Sequence, residues 1–374
     1  MEPNTAKIRY WNYLDEYAAH RDDYLRAVDS VFSSGSLILG RQVASFEQSF
    51  AEYCGVSSVV GVNSCTDAIF LALKALGIGA GDEVITVSNT AVPTVAAIRA
   101  AGAMPAFVDV EEDTFLMDVS LLDSAITRRT RCIVPVHLFG QMADMLPLLD
   151  FANRYGLSVV EDCAQACGAT YNGCRAGSLG NAGAFSFYPT KVLGTFGDGG
   201  AVATTLPDVA LRLKRLRMYG MNGSYYSEEE GYNSRLDEVQ AAILNFRLPG
   251  LESAVMRRRN IARIYDDGLA GLTGIELPAV REGRSHQYYL YTIRTDRRDG
   301  LAAYLAERGI ETKVNYPDPV HLMRGYRFLG YRSGTLPVTE RLAGTILSLP
   351  MYPELPEEHA VAVVAAIRRF FAEG

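Results

Sequence analysis

At 374 residues the chain is longer than one hydrophobic core usually serves, so a large domain with a smaller companion is expected. Its 43 acidic against 36 basic side chains leave a net charge of −7, which argues against a general nucleic-acid or anionic-membrane surface, since both need a basic face. No run of about 18 apolar residues occurs and no apolar targeting segment opens the chain, so a cytoplasmic protein is expected.

The cysteines Cys54, Cys65, Cys132, Cys163, Cys167 and Cys174 show no C-x-x-C pairing. They stand in apolar or helical context and read as reduced, buried thiols, with no metal site expected.

In chain order, residues 1 to about 35 carry helical spacing at Tyr13, Tyr17, Tyr24, Val28 and Val31, broken at Ser33-Ser34-Gly35-Ser36. A second helix follows with Val43, Phe46, Phe50 and Tyr53 on one face, ending at Gly55. Val59 to Val62 reads as a strand, and Asn63-Ser64-Cys65-Thr66-Asp67 turns it into a helix over 68–76. Strands at 83–87, 105–108, 132–136 and 157–161 then alternate with helices at 92–101, 121–126 and 145–155. Such alternation means βαβ units on a mostly parallel, doubly wound sheet.

Ala184 to Tyr188 is a further short strand, with Lys191 just beyond it and the cluster Gly197-Asp198-Gly199-Gly200 before a strand over 200–204. A basic helix over 209–218 and a polar loop over 220–234 lead to an amphipathic helix over 236–248. An Arg-rich helix over 256–269 bridges to a smaller α+β unit with a strand at 286–294 and helices at 301–308 and 359–371. The expected division is 1–250 for the large domain and 251–374 for the small one.

The stretch from Val159 to Gly200 holds a carboxylate at Asp162, a hydroxyl at Ser186 and an amine at Lys191. An apolar strand ending in Asp delivers an acid to the carboxyl edge of the sheet, where open α/β sheets bind ligands. These are the parts that pyridoxal phosphate (PLP) requires: an amine to bond its aldehyde, a carboxylate to keep its ring nitrogen protonated, and small donors for its phosphate. The turn Ser64-Cys65-Thr66-Asp67 adds the unpaired N–H groups of a helix start. Singly, each has a plainer reading, Asp162 as a helix cap, Lys191 as a surface charge, and Ser64 or Thr66 as an ordinary N-cap. Their combination in one α/β chain favours the site.

Several segments in order carry a resemblance over nearly the whole chain. They are Gly61-Val62-Asn63-Ser64-Cys65-Thr66-Asp67-Ala68, Pro105-Ala106-Phe107-Val108-Asp109, Val136-His137-Leu138-Phe139-Gly140, Glu161-Asp162-Cys163-Ala164-Gln165, Phe185 to Lys191, Gly197 to Gly200, and Asn233-Ser234-Arg235-Leu236-Asp237 with Gln240-Ala241-Ala242. Together they resemble the DegT/DnrJ/EryC1 family of sugar aminotransferases.

The resemblance implies the fold type I aminotransferase architecture, an α/β large domain whose mostly parallel, mixed seven-stranded sheet is flanked by helices, with a smaller α+β domain. It implies PLP as cofactor and a homodimer with shared active sites. By the same resemblance Lys191 is the cofactor-bonding lysine and proton carrier, Asp162 faces the pyridine nitrogen, Gln165 sits beside the phenolic oxygen, and Ala164 lies against one ring face. Thr66, the backbone of Asp67, and Ser186 hold the phosphate, and Asn233 reaches the neighbouring subunit's cofactor. Two departures stand out: Ala91 occupies the place of a ring-stacking aromatic, and Cys65 replaces the glycine of the phosphate turn. The presence of Lys191 argues against the family's dehydratase branch.

The expected reaction moves an amino group from glutamate or glutamine to a nucleotide-linked keto-deoxysugar, at C3 of a dTDP-keto-6-deoxysugar. Tyr188, Arg235, Lys313, Tyr316 and His321 are the polar candidates for contacts to that substrate, with a plain surface role for each left open. The alternatives are the same chemistry at C4 or on a keto-cyclitol, a PLP-binding regulator, and a non-catalytic binding module.

Overall fold

The computed structural model describes residues 7–373; residues 1–6, counted above in the N-terminal helical segment, and Gly374 of the small domain lie outside the described residues. Helices α1 (Leu14–Ser34) and α2 (Arg41–Cys54) precede β1 (Ser58–Val62), followed by α3 (Cys65–Ala75), β2 (Glu83–Val87), α4 (Val92–Ala100) and β3 (Met104–Val108). The short α5 (Leu122–Ala125), β4 (Thr130–Ile133), α6 (Met145–Tyr155) and β5 (Ser158–Asp162) continue the alternation. A small hairpin, β6 (Thr170–Tyr171) and β7 (Cys174–Arg175), comes before β8 (Ala182–Ser186) and β9 (Gly200–Thr204). The remainder is α7 (Pro207–Leu216), α8 (Glu238–Arg247), α9 (Leu251–Leu269), β10 (Tyr291–Arg294), α10 (Arg298–Glu307), α11 (Pro337–Thr345), β11 (Ile346–Leu349) and α12 (Glu357–Ala372).

Seven strands form one sheet in the order β1-β9-β8-β5-β4-β2-β3. Within it β9 runs antiparallel to both neighbours while the other pairings are parallel. Every residue of β2, β8 and β9 is buried, as strands covered on both faces must be. One face packs Phe46, Phe50, Phe185 and Phe187 together; the other packs Val60, Ile69, Leu71 and Val202. A third core around the antiparallel pair β10–β11 joins Tyr265, Tyr291, Leu301, Leu347 and Val363, and Ile8 from near the start of the chain belongs to it.

Two ties bind the carboxyl ends of β2 and β3 to this C-terminal part. Asp109 accepts from the N–H groups of Val338 and Thr339 at 2.8 Å each and from the Thr339 hydroxyl at 2.7 Å, capping α11. Ser88 Oγ accepts from the His321 N–H at 2.9 Å and lies 2.7 Å from its Nδ1.

The strands expected from the sequence are present with shifted ends. The expected strand over 286–294 begins only at Tyr291, and residues 286–289 instead form a loop. The hairpin β6–β7, α11 and β11 were not expected; Ile346-Leu347-Ser348-Leu349 is too short an apolar run for its period to separate strand from buried helix. Five cysteines are buried, but Cys174 is exposed, a correction to the uniform buried reading, because it lies on a two-residue strand outside the main sheet. No helix among the described residues is long and apolar enough to cross a membrane.

Candidate active site

The elements meet at the carboxyl edge of β5 and β8. Asp162, the last residue of β5, is 4% exposed. Its Oδ2 accepts from the Thr94 hydroxyl at 2.7 Å and its Oδ1 from the Ala164 N–H at 3.1 Å. Thr94 lies on α4 and is itself 2.9 Å from the Thr90 hydroxyl. Burial pushes the Asp162 carboxyl up, with the Thr94 hydroxyl, the Ala164 N–H and the Lys191 charge opposing. Among the described residues its hydrogen-bond partners are thus one hydroxyl and one amide, and a buried acid in that position has room for a cationic partner.

Lys191 follows β8 and is half-buried, with Nζ 4.4 Å from the centroid of the Tyr289 ring. Burial drives the Cys65 thiol well up, with Asp162 adding to the effect and Lys191 opposing it, so the three groups share one field. Ser186 ends β8 opposite Gly200 on β9. A Cβ on Gly200 would sit inside the Ser64 carbonyl, so glycine there brings the start of α3 against the Ser186 end of the sheet. Ser64 caps α3 by accepting from the Asp67 N–H at 3.1 Å. The N–H groups of Cys65 and Thr66 precede the helix's own ladder and can face an anion. Thr66 and Asp67 are half-buried, and Asp67 Oδ2 accepts from the Ser234 hydroxyl at 2.7 Å.

Gln165 is anchored from three sides. Its Oε1 accepts from the Phe139 N–H at 2.8 Å, its Nε2 donates to the Tyr316 hydroxyl at 2.8 Å, and its carbonyl accepts from Gln287 Nε2. Burial pushes the Tyr316 phenol up, which keeps it a neutral hydroxyl at physiological pH. Ala164 is half-buried beside them.

Other expected site residues lie in plainer settings. Tyr188 is 51% exposed, and Lys313 and Asn233 are exposed. Asn233 pairs with Met218 in an isolated bridge, and its neighbour Ser234 fixes the loop by accepting from the Asn63 N–H at 3.1 Å. Arg235 lies 3.3 Å from the Met218 sulfur and 5.8 Å from the Tyr219 ring centroid. His321 is 1% exposed, its Nδ1 engaged by Ser88 and its Nε2 at 3.2 Å from Glu340 Oε1. Ala91, where the expected stacking aromatic is missing, is the half-buried N-cap residue of α4.

Thr94, Tyr289 and Gln287 escaped the sequence reading. Thr94 and Tyr289 stand in ordinary helical or aromatic context, and Gln287 in a run read as strand, so no local signal marks any of them.

His137, Glu161 and Cys163 place their ligand-type atoms within 4.8 Å of one another, yet the bonding is structural. His137 Nδ1 accepts from the Ala143 N–H at 3.1 Å, leaving Nε2 to donate to Glu161 at 2.9 Å. Glu161 also accepts from the N–H groups of Gly177, Leu179 and Gly180. Burial would raise the Glu161 carboxyl, but His137 and these amides hold it below its usual range. The bonds therefore stabilise the fold above the ordinary carboxylate range and are lost as pH falls through the lowered value. Glu161→Gln should cost about 3 kcal/mol in urea unfolding, because either amide orientation sets an NH₂ against an N–H donor.

A model of the DegT/DnrJ/EryC1/StrS aminotransferase family matches residues 19–368. The chain is 53% identical over 363 residues to the dTDP-3-amino-3,4,6-trideoxy-α-D-glucose transaminase of Micromonospora megalomicea subsp. nigra, covering 96% of this chain and 97% of that one. It resembles the crystal structure of S. venezuelae DesV in complex with a ketimine intermediate with a TM-score of 0.96 and 46% identity, covering 98% and 99% of the two chains. The structure of ntda from Bacillus subtilis with bound cofactor PMP gives a TM-score of 0.87 and 30% identity, over 94% of this chain and 82% of that one. With its motifs, its sheet and these likenesses in agreement, the chain belongs to the DegT/DnrJ/EryC1/StrS aminotransferase family.

Proposed function

We propose that this protein is a PLP-dependent aminotransferase that transfers an amino group from glutamate or glutamine to C3 of a dTDP-linked keto-deoxysugar. The observation that carries the reading is that neighbouring parallel strands β5 and β8 bring the buried acid Asp162 and the segment bearing Lys191 to the same carboxyl edge of the sheet. The likeness to a transaminase named for a dTDP-3-amino sugar supports the carbon and the nucleotide.

The residues present fit the cofactor. Asp162 offers a buried carboxylate for a protonated ring nitrogen, Gln165 and Tyr316 offer polar atoms at one edge, and Ser186 with the Thr66 turn offers donors for a phosphate. When bound, PLP supplies an aldehyde that holds the amine and a ring that draws electrons from the carbon bearing it. Asp162 keeps a positive charge at the ring nitrogen. Lys191 Nζ accepts the proton from the donor's α-carbon and delivers it across the same site, and in the second half-transfer it does the reverse. Tyr188, Arg235, Lys313, Tyr316 and His321 are proposed to orient the acceptor, with His321 acting through its loop because both ring nitrogens are engaged.

We further propose a homodimer in which Asn233 of the partner subunit completes the phosphate site; its exposure on an anchored loop supports this. A division near residue 250 is proposed on the separate core around β10 and β11, onto which Ile8 from before α1 also packs. A cytoplasmic setting is proposed on the six free cysteines.

The test is the reverse reaction. Purified protein loaded with PLP should absorb visible light, and dTDP-3-amino-3,4,6-trideoxy-α-D-glucose with 2-oxoglutarate should yield glutamate. The corresponding C4-amino sugar should react far more slowly. A coloured protein that forms glutamate from neither sugar would overturn the substrate reading.

A further inference from the structure

Lys191 must hold a positive charge at one stage of its work and give it up at another, so whatever touches its amine sets how well it does both. The Tyr289 ring lies beside that amine, its centroid 4.4 Å from Nζ, well inside the range at which an ammonium is attracted to an aromatic ring. The ring is held in place at both ends. Its hydroxyl is 3.0 Å from the hydroxyl of Thr190, the residue that precedes Lys191, and its carbonyl accepts from Arg258 at 3.2 Å. Arg258 is 2% exposed and also donates to the carbonyls of Tyr288 at 3.1 Å and Met351 at 3.0 Å, so the loop bearing the ring is pinned from beneath by a buried cation.

We propose that Tyr289 is a positioning residue for the transamination, its aromatic ring seating the Lys191 ammonium between the two proton transfers. The inference rests on the aminotransferase reading. It differs from simple packing in requiring the electrons of the ring rather than its volume. Tyr289 also responds to its neighbour: although burial works to raise the phenol, the Lys191 charge and hydrogen bonds from Thr190 and Lys191 bring it below its usual value. Asp162 and Cys65 are the other titratable groups that register the Lys191 charge.

The proposal is tested by Tyr289→Phe followed by mono-, di- and pentafluorophenylalanine at the same position, a series that drains the ring quadrupole while nearly keeping its shape. Each PLP-loaded protein is mixed with L-glutamate and the loss of visible absorbance followed. Tyr289→Phe should stay within about threefold of the parent if the ring seats the amine; a large loss at this step would assign the role to the hydroxyl's contacts with Thr190 and Lys191 and overturn the proposal. From Phe to the pentafluoro ring the limiting rate should fall steadily, by about tenfold in all, with half-saturating glutamate unchanged.

Without glutamate, the pH midpoint of the visible band should move down along the same series, because a poorer ring stabilises the cationic form of the cofactor-bonded Nζ less. A flat series in both measurements, or a change only in half-saturating glutamate, would overturn the proposal. Loss of the aminotransferase reading itself would show separately, as a parent protein whose colour glutamate does not bleach.

Discussion

Lys191→Ala will abolish turnover, lowering the glutamate half-reaction by at least about 10⁴-fold, because the same amine bonds the cofactor and carries the proton. The fold should survive, since Lys191 is half-buried in the segment after β8 and the described structure gives its side chain no strand or cap to maintain. Far-ultraviolet circular dichroism should therefore match the parent while the visible band is gone. Mixing this variant with Asn233→Ala extends the test to the shared site. If Asn233 serves the opposite subunit, mixed dimers place both lesions in one site and leave the other intact. Random exchange then restores about one quarter of parental sites. Transamination by the single Lys191 variant, or a mixture no more active than its parts, would refute the respective roles.

Asp162→Asn should divide stability from activity. Burial raises the Asp162 carboxyl in the cofactor-free chain, so the folded state disfavours its charge. A group raised on folding is best tolerated below its ordinary value, and stability is lost as pH rises through the raised one. A neutral amide removes that loss, and the Thr94 and Thr90 hydroxyls can reverse their hydrogen bonds to meet it. The cofactor-free Asp162→Asn protein should melt roughly 1–4 °C higher than the parent at neutral pH, with the difference shrinking as pH is lowered. The same change should slow the glutamate half-reaction by about 10²- to 10³-fold, because nothing then holds the ring nitrogen protonated. A variant that melts lower at neutral pH, with that deficit closing as pH is lowered, would show that Asp162 is instead a stabilising carboxylate.

Much of this was readable from the chain because strand-end chemistry is local. The apolar run before Asp162, the glycine cluster after Lys191 and the polar start of α3 announce themselves within a few residues. The partners that tune them do not. Thr94 lies 68 positions from Asp162, and Thr190 meets Tyr289 across 99. Periodicity describes which face of an element is buried, and nothing in it says which hydroxyl will face which carboxylate across a sheet edge. His321 shows the same limit. It reads as a polar loop residue open to substrate, whereas it is buried with Ser88, 233 positions away, on one side and Glu340 on the other. Although burial works against it, the Gly334 N–H, His321, Ser333 and the Leu336 N–H hold the Glu340 carboxyl down to about 2, so this clamp keeps its charge throughout the physiological range. The loop at 286–289 differs from the expected strand for a related reason: its aromatic run has strand-like composition, but past the single bridge from His286 to Gln141 the carbonyls of Tyr288 and Tyr289 are met by the Arg258 side chain instead of a neighbouring strand.

The ties from Asp109 to α11 and from Ser88 to His321 have a consequence for movement. A hinge rotation of the C-terminal part about residue 250 would have to break both at once, along with the packing of Val320 and Leu336 against Phe107 and Val95. The C-terminal part is therefore latched to the sheet at the carboxyl ends of β2 and β3. On the proposed reading, a small amino acid and a nucleotide sugar would take turns in a vessel that these ties keep at nearly constant shape. Discrimination between them would then fall to side chains and short loops at the mouth rather than to a closing jaw.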